Sequence, residues 1–344
     1  MNAPLLTRDQ LCQSALKRDG HRCVVCRAPA TVVHSIVDNA LFSDGGHDLA
    51  NAVSLCEEHR LKAEQTLLTC EELRELIHVG DPCLPEHLST ENGESYDRWG
   101  NPYFKNGRKY RGELWWEETC QKALASAGLL KDFCPYVHYP RTMHLPWSPN
   151  LQNDDRRIES LAAFQGEDVV VTLKMDGESA TLYQDYYHAR SLDSRHHPSR
   201  DWIKAFHARI AHEIPPDWRL CGENLFAQHS IRYDELESFF YLFNIWERGR
   251  RLSWDDTLGY AAMLGLTVVP VLYRGPWNEK ILRELGAKLD EQQDEGYVVS
   301  LTRSFRASEW RTCAAKYVRP AHVRTTEHWM TSRIIPNGLK KEFA

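Results

Sequence analysis

The chain contains no apolar run approaching the ~20 residues that a membrane-spanning helix requires, and Met1 to Gln13 holds no continuous apolar core of the kind that marks a secretory leader. These absences predict a cytoplasmic protein with no membrane partner. No excess of positive charge is present either: the net charge is -6 and the pI about 6.2, which argues against a protein that coats nucleic acid nonspecifically. Internal repeats and low-complexity tracts are also missing. At 344 residues the chain has room for two domains, and in a cytosolic setting its cysteines read as thiols or metal ligands rather than as disulfides.

Local charge departs from the overall balance. Arg190, Arg195, Arg200, Lys204 and Arg209, with several histidines, face only Asp193 and Asp201, and Lys and Arg again outnumber acids from Arg303 to Lys341. Contacts to phosphate need only such local charge, although solvated faces look the same in sequence.

Residues 169–177, Val-Val-Val-Thr-Leu-Lys-Met-Asp-Gly, organise the rest. A short β-rich apolar run predicts a buried strand that delivers Lys174 into a turn at Asp176-Gly177. A lysine in such a place is a nucleophile candidate if burial or neighbouring cations lower its pKa, and a solvated surface group otherwise. Four motifs follow in order: Cys221-Gly222-Glu223-Asn224, Tyr241 to Trp246, Asp294-Glu295-Gly296-Tyr297-Val298-Val299, and Ala315-Lys316-Tyr317-Val318; Ala189-Arg190-Ser191 lies before them.

This series resembles the nucleotidyltransferase motifs of the covalent ligase and capping-enzyme superfamily, most closely the ATP-dependent RNA ligases. The resemblance implies an α+β, ATP-grasp-like adenylylation domain of antiparallel sheets and helices over residues 136–344. It implies catalytic roles for Lys174, Asp176, Glu295 and Lys316. Nucleotide contacts would come from Lys174, Arg190 or its rival Arg195, Glu223 on a ribose hydroxyl, Phe243 on adenine, and Lys316 on the α-phosphate. Phe243 reads equally as an ordinary sheet residue. Glu295 would hold Mg2+ or Mn2+, whose hardness suits carboxylate oxygen. The reaction implied is ATP-dependent joining of 5′-phosphate and 3′-hydroxyl RNA ends through lysyl-AMP, in RNA repair alongside end-processing enzymes. The family's last motif often carries a second lysine; here Ala314 and Val318 flank Lys316, so that cation is missing or supplied by Arg319. Little chain follows Lys316, which predicts no appended OB domain and favours an RNA over a DNA substrate. His322, Arg324, His328 and Trp329 could add phosphate and stacking contacts.

The N-terminal part carries a separate signal. Cys23 and Cys26 form a CxxC, and Cys56 with His59 a CxxH, together a closed Cys3His set for structural Zn2+; the alternative is four unrelated buried residues. The stretch from Arg18 to Gln65 resembles an HNH, or ββα-metal, finger, including Asn51. It departs where such nucleases place their metal ligands and general base: His34, Ser35 and Arg60 stand there. The expected organisation is therefore an HNH-like zinc-binding module over 1–80, a connector with a helix over 81–135, and the ligase domain over 136–344. The competing function is a zinc-dependent nuclease of HNH type or a non-catalytic nucleic-acid-binding protein.

Overall fold

The computed structural model describes residues 6–343 apart from 82, 86, 89–93, 105–106, 150, 152–154, 193–195, 291 and 321–333. The chain divides into two compact units, Met1–Val137 and His138–Ala344. None of the described helices is long and apolar enough to cross a membrane.

In the first unit Thr7 caps α1 (Arg8–Arg18) through a capping box with Gln10, as Thr7 ahead of Leu11 and Ala15 predicts. Strands β1 (Val32–Ser35) and β2 (Ala52–Leu55) pair antiparallel, and α2 (Glu57–Glu64) follows at once. The apolar stripe of Leu67, Leu68, Cys70, Leu73, Leu76 and Ile77 predicts a helix over 66–80; the helix formed is shorter, α3 (Cys70–Leu76), because Thr66 takes a left-handed φ of 59° and Thr69 starts a new capping box with Glu72. The Gly, Asn, Pro and charge from Pro85 to Gly112 predict an ordered connector containing turns; β3 (Glu94–Tyr96), β4 (Pro102–Phe104) and β5 (Lys109–Tyr110) form there and join β6 (Phe133–Cys134) in a sheet. Its parallel β5–β6 pairing crosses a helix, α4 (Glu118–Ser126), which Gly128 ends at φ 72°. Trp99, Trp115 and Phe133 pack with Cys23, Val53, Leu55 and Leu73 in one core.

In the second unit the chain runs β7 (Met143–His144), β8 (Asp168–Lys174), β9 (Glu178–Leu182), β10 (Tyr187–Ala189), α5 (Asp201–Ile210), β11 (Trp218–Asn224), β12 (Phe240–Glu247), β13 (Arg250–Arg251), α6 (Trp254–Met263), β14 (Val271–Pro276), α7 (Glu279–Lys288), β15 (Gly296–Leu301), β16 (Phe305–Arg306), α8 (Trp310–Cys313) and β17 (Ala314–Val318). One sheet has the order β10-β9-β11-β12-β13-β16, the other β14-β8-β15-β17-β7. All pairings are antiparallel except β17 with β7. This is a mixed α+β architecture, as the motif series implies.

The period-2 alternation of a strand places β8. Val169 and Val171 enter a core with Tyr297, Val299, Leu301 and Trp310, whereas Val170, Thr172 and Lys174 line a cleft. Register then sets the neighbours: Gly296 lies opposite Lys174, and Val298 opposite both Thr172 and Lys316. Close approach requires glycine at 296, since a Cβ there would sit 1.9 Å from the Tyr317 carbonyl oxygen. Gly296→Ala is therefore expected to lower the unfolding free energy by about 1–3 kcal/mol, as overpacking does; a denaturation midpoint equal to that of the parent would refute this strand contact.

Candidate active site

The cleft in the second unit measures about 720 Å³ and draws its walls from both sheets. Lys174, Asp176, Arg190, Glu223, Phe243, Glu295 and Lys316 all line it. Residues far apart in the chain are thus brought together. Arg195 lies outside the described residues, as do His322, Arg324, His328 and Trp329.

Lys174 ends β8, and its Nζ donates to Glu295 Oε2, a carboxylate 4% exposed at the foot of β15. Burial pushes the Lys174 pKa down, but the carboxylates of Glu295, Glu223 and Asp176 outweigh it and hold the amine above its ordinary value. The expectation of a lowered pKa is corrected here: three acids converge on the lysine. Glu223, on β11, accepts from the Gly177 N–H at 3.2 Å and so closes the turn after the lysine. That turn approaches β11 so tightly that a Cβ at Gly177 would lie 2.6 Å from the Asn224 carbonyl oxygen.

Asp176 fixes a loop. Its Oδ2 accepts from Ile231 N at 2.8 Å, and its own N–H donates to the Tyr233 hydroxyl at 3.0 Å. Tyr233 is held in turn by Asn337, whose Oδ1 accepts from Tyr233 N while its Nδ2 donates to the Leu225 carbonyl. This loop delivers His229 to the cleft.

Lys316, in mid-strand on β17, forms an ion pair with Asp155 at 3.0 Å. Burial pushes its pKa down; Asp155 opposes this, and the charges of Lys174 and Arg190 add to it. Those two cations are thus close enough to Lys316 for their fields to be felt. Arg319 donates to the carbonyl oxygen of Asp294 at 2.7 Å and is not among the cleft-lining residues. Phe243 is half-buried, meets Tyr139 edge-on at 5.3 Å and, like Tyr139, lines the cleft. Both readings of that residue meet in one position: it packs and it lines.

Several cleft residues carried no motif. Glu178 and Arg200 form a buried ion pair in the wall, and Arg141 and His229 also line the cleft. The count of cations from His188 to His212 included Arg200, but its partner lies 22 positions upstream, a pairing set by the sheet and invisible in the local sequence.

In the first unit, ligand atoms of Cys23, Cys26, Cys56 and His59 all lie within 4.8 Å of one another. Cys26 and Cys56 Sγ are 3.8 Å apart, and Cys23 Sγ and His59 Nδ1 3.7 Å. A zinc tetrahedron with bonds of about 2.3 Å has edges of roughly 3.8 Å, so the donor set fits that ion. A turn closed by Arg27 N on the Cys23 carbonyl brings the first pair together. The flanking residues are otherwise engaged. His34 is buried with Arg98 Nη1 2.8 Å from its Nε2, and burial, with the charges of Arg98 and Arg60, pushes its pKa down to about 3. Arg60 is held by Glu57 and Glu64, and the Asn51 amide clamps Val37 through both its backbone groups.

Residues 167–318 match the family model described as RNA ligase. No curated protein matches the chain. Among solved structures, the Naegleria gruberi RNA ligase with PPi is 20% identical over 54% of this chain and 58% of its own, with a TM-score of 0.38. An archaeal ATP-dependent RNA ligase is 15% identical over 54% of this chain and 48% of its own, with a TM-score of 0.39. The match thus spans about half the length of each of these structures. The family match supports an enzyme of the RNA ligase type for the segment that forms most of the cleft.

The acid cluster has a measurable consequence. Burial pushes the Glu223 carboxyl up to about 8 from 4.5; Lys174 opposes this, while Glu295 and Asp176 reinforce it. The folded chain then keeps a proton that the unfolded chain releases between about pH 5 and 8, so this contribution to stability is present at low pH and lost as pH rises through 8. In Glu223→Gln that loss is expected to disappear. Chemical denaturation near pH 6 and pH 9 should show the variant gaining on the parent by about 1–3 kcal/mol between the two; parallel losses would contradict the buried acid.

Proposed function

We propose that the protein is an ATP-dependent RNA ligase that joins 5′-phosphate and 3′-hydroxyl ends in RNA repair. The observation that carries the reading is the convergence on one cleft of Lys174, Glu223, Glu295, Lys316 and Arg190 from separate strands and both sheets. Lys174 Nζ attacks the α-phosphorus of ATP. An N–P bond forms, the bond to the bridging oxygen breaks, pyrophosphate leaves, and the amine gives up a proton. The AMP then passes to an RNA 5′-phosphate, and a 3′-hydroxyl displaces it. Each step is substitution at phosphorus, in which positioning and neutralisation of charge dominate.

The acids around Lys174 hold its proton in the free protein, so the neutral amine is reached when those carboxylates are otherwise engaged. Glu295 with Glu223 is a hard-oxygen donor set that suits Mg2+ or Mn2+, which when bound would supply charge neutralisation at the phosphates. Lys316 and Arg190 bring positive charge to the phosphates, and Phe243 offers a ring on which adenine can stack. Glu223 suits a ribose hydroxyl as acceptor when ionised and as donor when protonated.

The first unit is read as a zinc-stapled module, HNH-like in its ββα order, that braces the fold or contacts nucleic acid. The burial of His34 against Arg98 and the engagement of Arg60 favour this over a nuclease.

Incubation with ATP and Mg2+ should add one AMP to the intact protein, detected by mass, and Lys174→Ala should abolish the adduct without loss of fold. Lys174→Arg should fail as well, because a guanidinium stays protonated. RNA ends should be sealed far faster than all-DNA nicks. An adduct that persists in Lys174→Ala would overturn the assignment, and equal rates on DNA would overturn the substrate.

Purified protein should carry one zinc by elemental analysis, and Cys23→Ala or Cys56→Ala should lose it and destabilise the first unit while leaving the Lys174 adduct intact. Stoichiometric absence of zinc, or metal-dependent cleavage of nucleic acid that vanishes in His34→Ala, would reverse this reading.

A further inference from the structure

Lys316 has a four-carbon stem ending in a strongly hydrated point charge, so nothing in its own chemistry aims it. The register does part of this. Lys316 lies between Val298 on β15 and His144 on β7, and His144 is 1% exposed. The segment after β7 turns back along its edge, with His144 N donating to the Arg156 carbonyl and Ile158 N to the His144 carbonyl, both at 2.8 Å. Asp155 is thereby set beside Lys316.

Asp155 Oδ1 takes the Lys316 ammonium at 3.0 Å. Asp155 Oδ2 lies 3.1 Å from His144 Nε2, close enough for an ion pair though not aligned as a straight hydrogen bond. His144 Nδ1 is 2.8 Å from Ser148 Oγ, and that oxygen accepts from Val318 N at 3.1 Å. The serine hydroxyl has one proton to give and two sites that accept; the Asp155 carboxylate beside Nε2 favours the ring proton on that nitrogen, with Ser148 donating to Nδ1. The path starts at Lys316 and returns to the same strand two residues on, at Val318, so the position of the ammonium is over-determined.

We propose that Asp155, braced by His144 and Ser148, is a positioning residue that holds the Lys316 ammonium charged and aimed into the cleft. This rests on the reading of Lys316 as the cation for the α-phosphate. Asp155 is not among the residues that line the cleft, whereas Lys316 is; the carboxylate works from behind and does not meet the nucleotide. It also offsets the mutual repulsion of Lys316, Lys174 and Arg190, whose charges disfavour the ammonium together with burial.

Two measurements on the full chain test this. The first is the single-turnover rate of adduct formation at saturating ATP and Mg2+. Asp155→Asn should reduce it about 10- to 100-fold, the scale of a mispositioned group, and Ser148→Ala, which releases only the brace, should reduce it less. In a Lys316→Ala background Asp155→Asn should cost nothing further, because two changes to one device do not add. The second is the rate of reductive methylation of Lys316 followed by mass spectrometry, which needs no catalysis: it should rise in Asp155→Asn as the amine loses its counter-ion. An equal loss in both backgrounds, or an unchanged methylation rate in Asp155→Asn, overturns the proposal. Should the parent protein form no adduct, the ligase reading fails and methylation alone decides the tether, faster labelling supporting it and unchanged labelling refuting it.

Discussion

The pairing of Lys174 with the carboxylates around it is the constraint on which the cleft depends. Lys174, with a side chain 25% exposed, pairs with the buried Glu295, while burial holds the proton on Glu223 and the lysine opposes that. Removing one partner of such a group leaves an uncompensated charge in a low-dielectric setting, at a cost of several kcal/mol. The two sheets are the means of meeting that constraint: one supplies Lys174, Glu295 and Lys316, the other Glu223 and Phe243. The glycines at 177 and 296 let the backbones approach closely enough to bring the groups into range.

An amine held above its ordinary pKa is a poor nucleophile, and the acids that hold it there are also the hard-oxygen groups available to a divalent ion. In the proposed reaction, a nucleotide and a metal that engaged those carboxylates would thereby free the amine. At Lys316, two strands from Lys174 in the same sheet, the sign of the charge changes. Lys316 and Arg190 repel one another and Lys174, and Asp155 answers that repulsion from outside the cleft wall. A cleft lined by both acids and cations is suited to a ligand that carries both a metal and phosphates.

The first unit obeys a different economy. Its strands are short and its core is modest, and the convergence of three thiols and an imidazole ties the Cys23–Arg27 turn to the start of α2. Arg98, Asp38 and His34 form a buried polar cluster in that unit, which places the histidine in a packing role.

What the sequence determined by itself was local chemistry and its order. The run from Val169 to Gly177 specified a strand ending in a lysine and a turn, Thr7 specified a helix cap, and the spacing of the cysteines and His59 specified a four-ligand set. Those signals are short-range: side-chain period, capping and turn chemistry act within a few residues. Strands β9, β10, β11 and β17 and helix α7 were not legible as elements, because their residues become strand or helix only against partners distant in the chain. Only the tertiary structure decided that Lys174 would meet three acids rather than cations, that Arg200 would be neutralised by Glu178, and that Asp155 would stand behind Lys316. Field strength depends on distance and burial, and neither quantity exists until the sheets have paired.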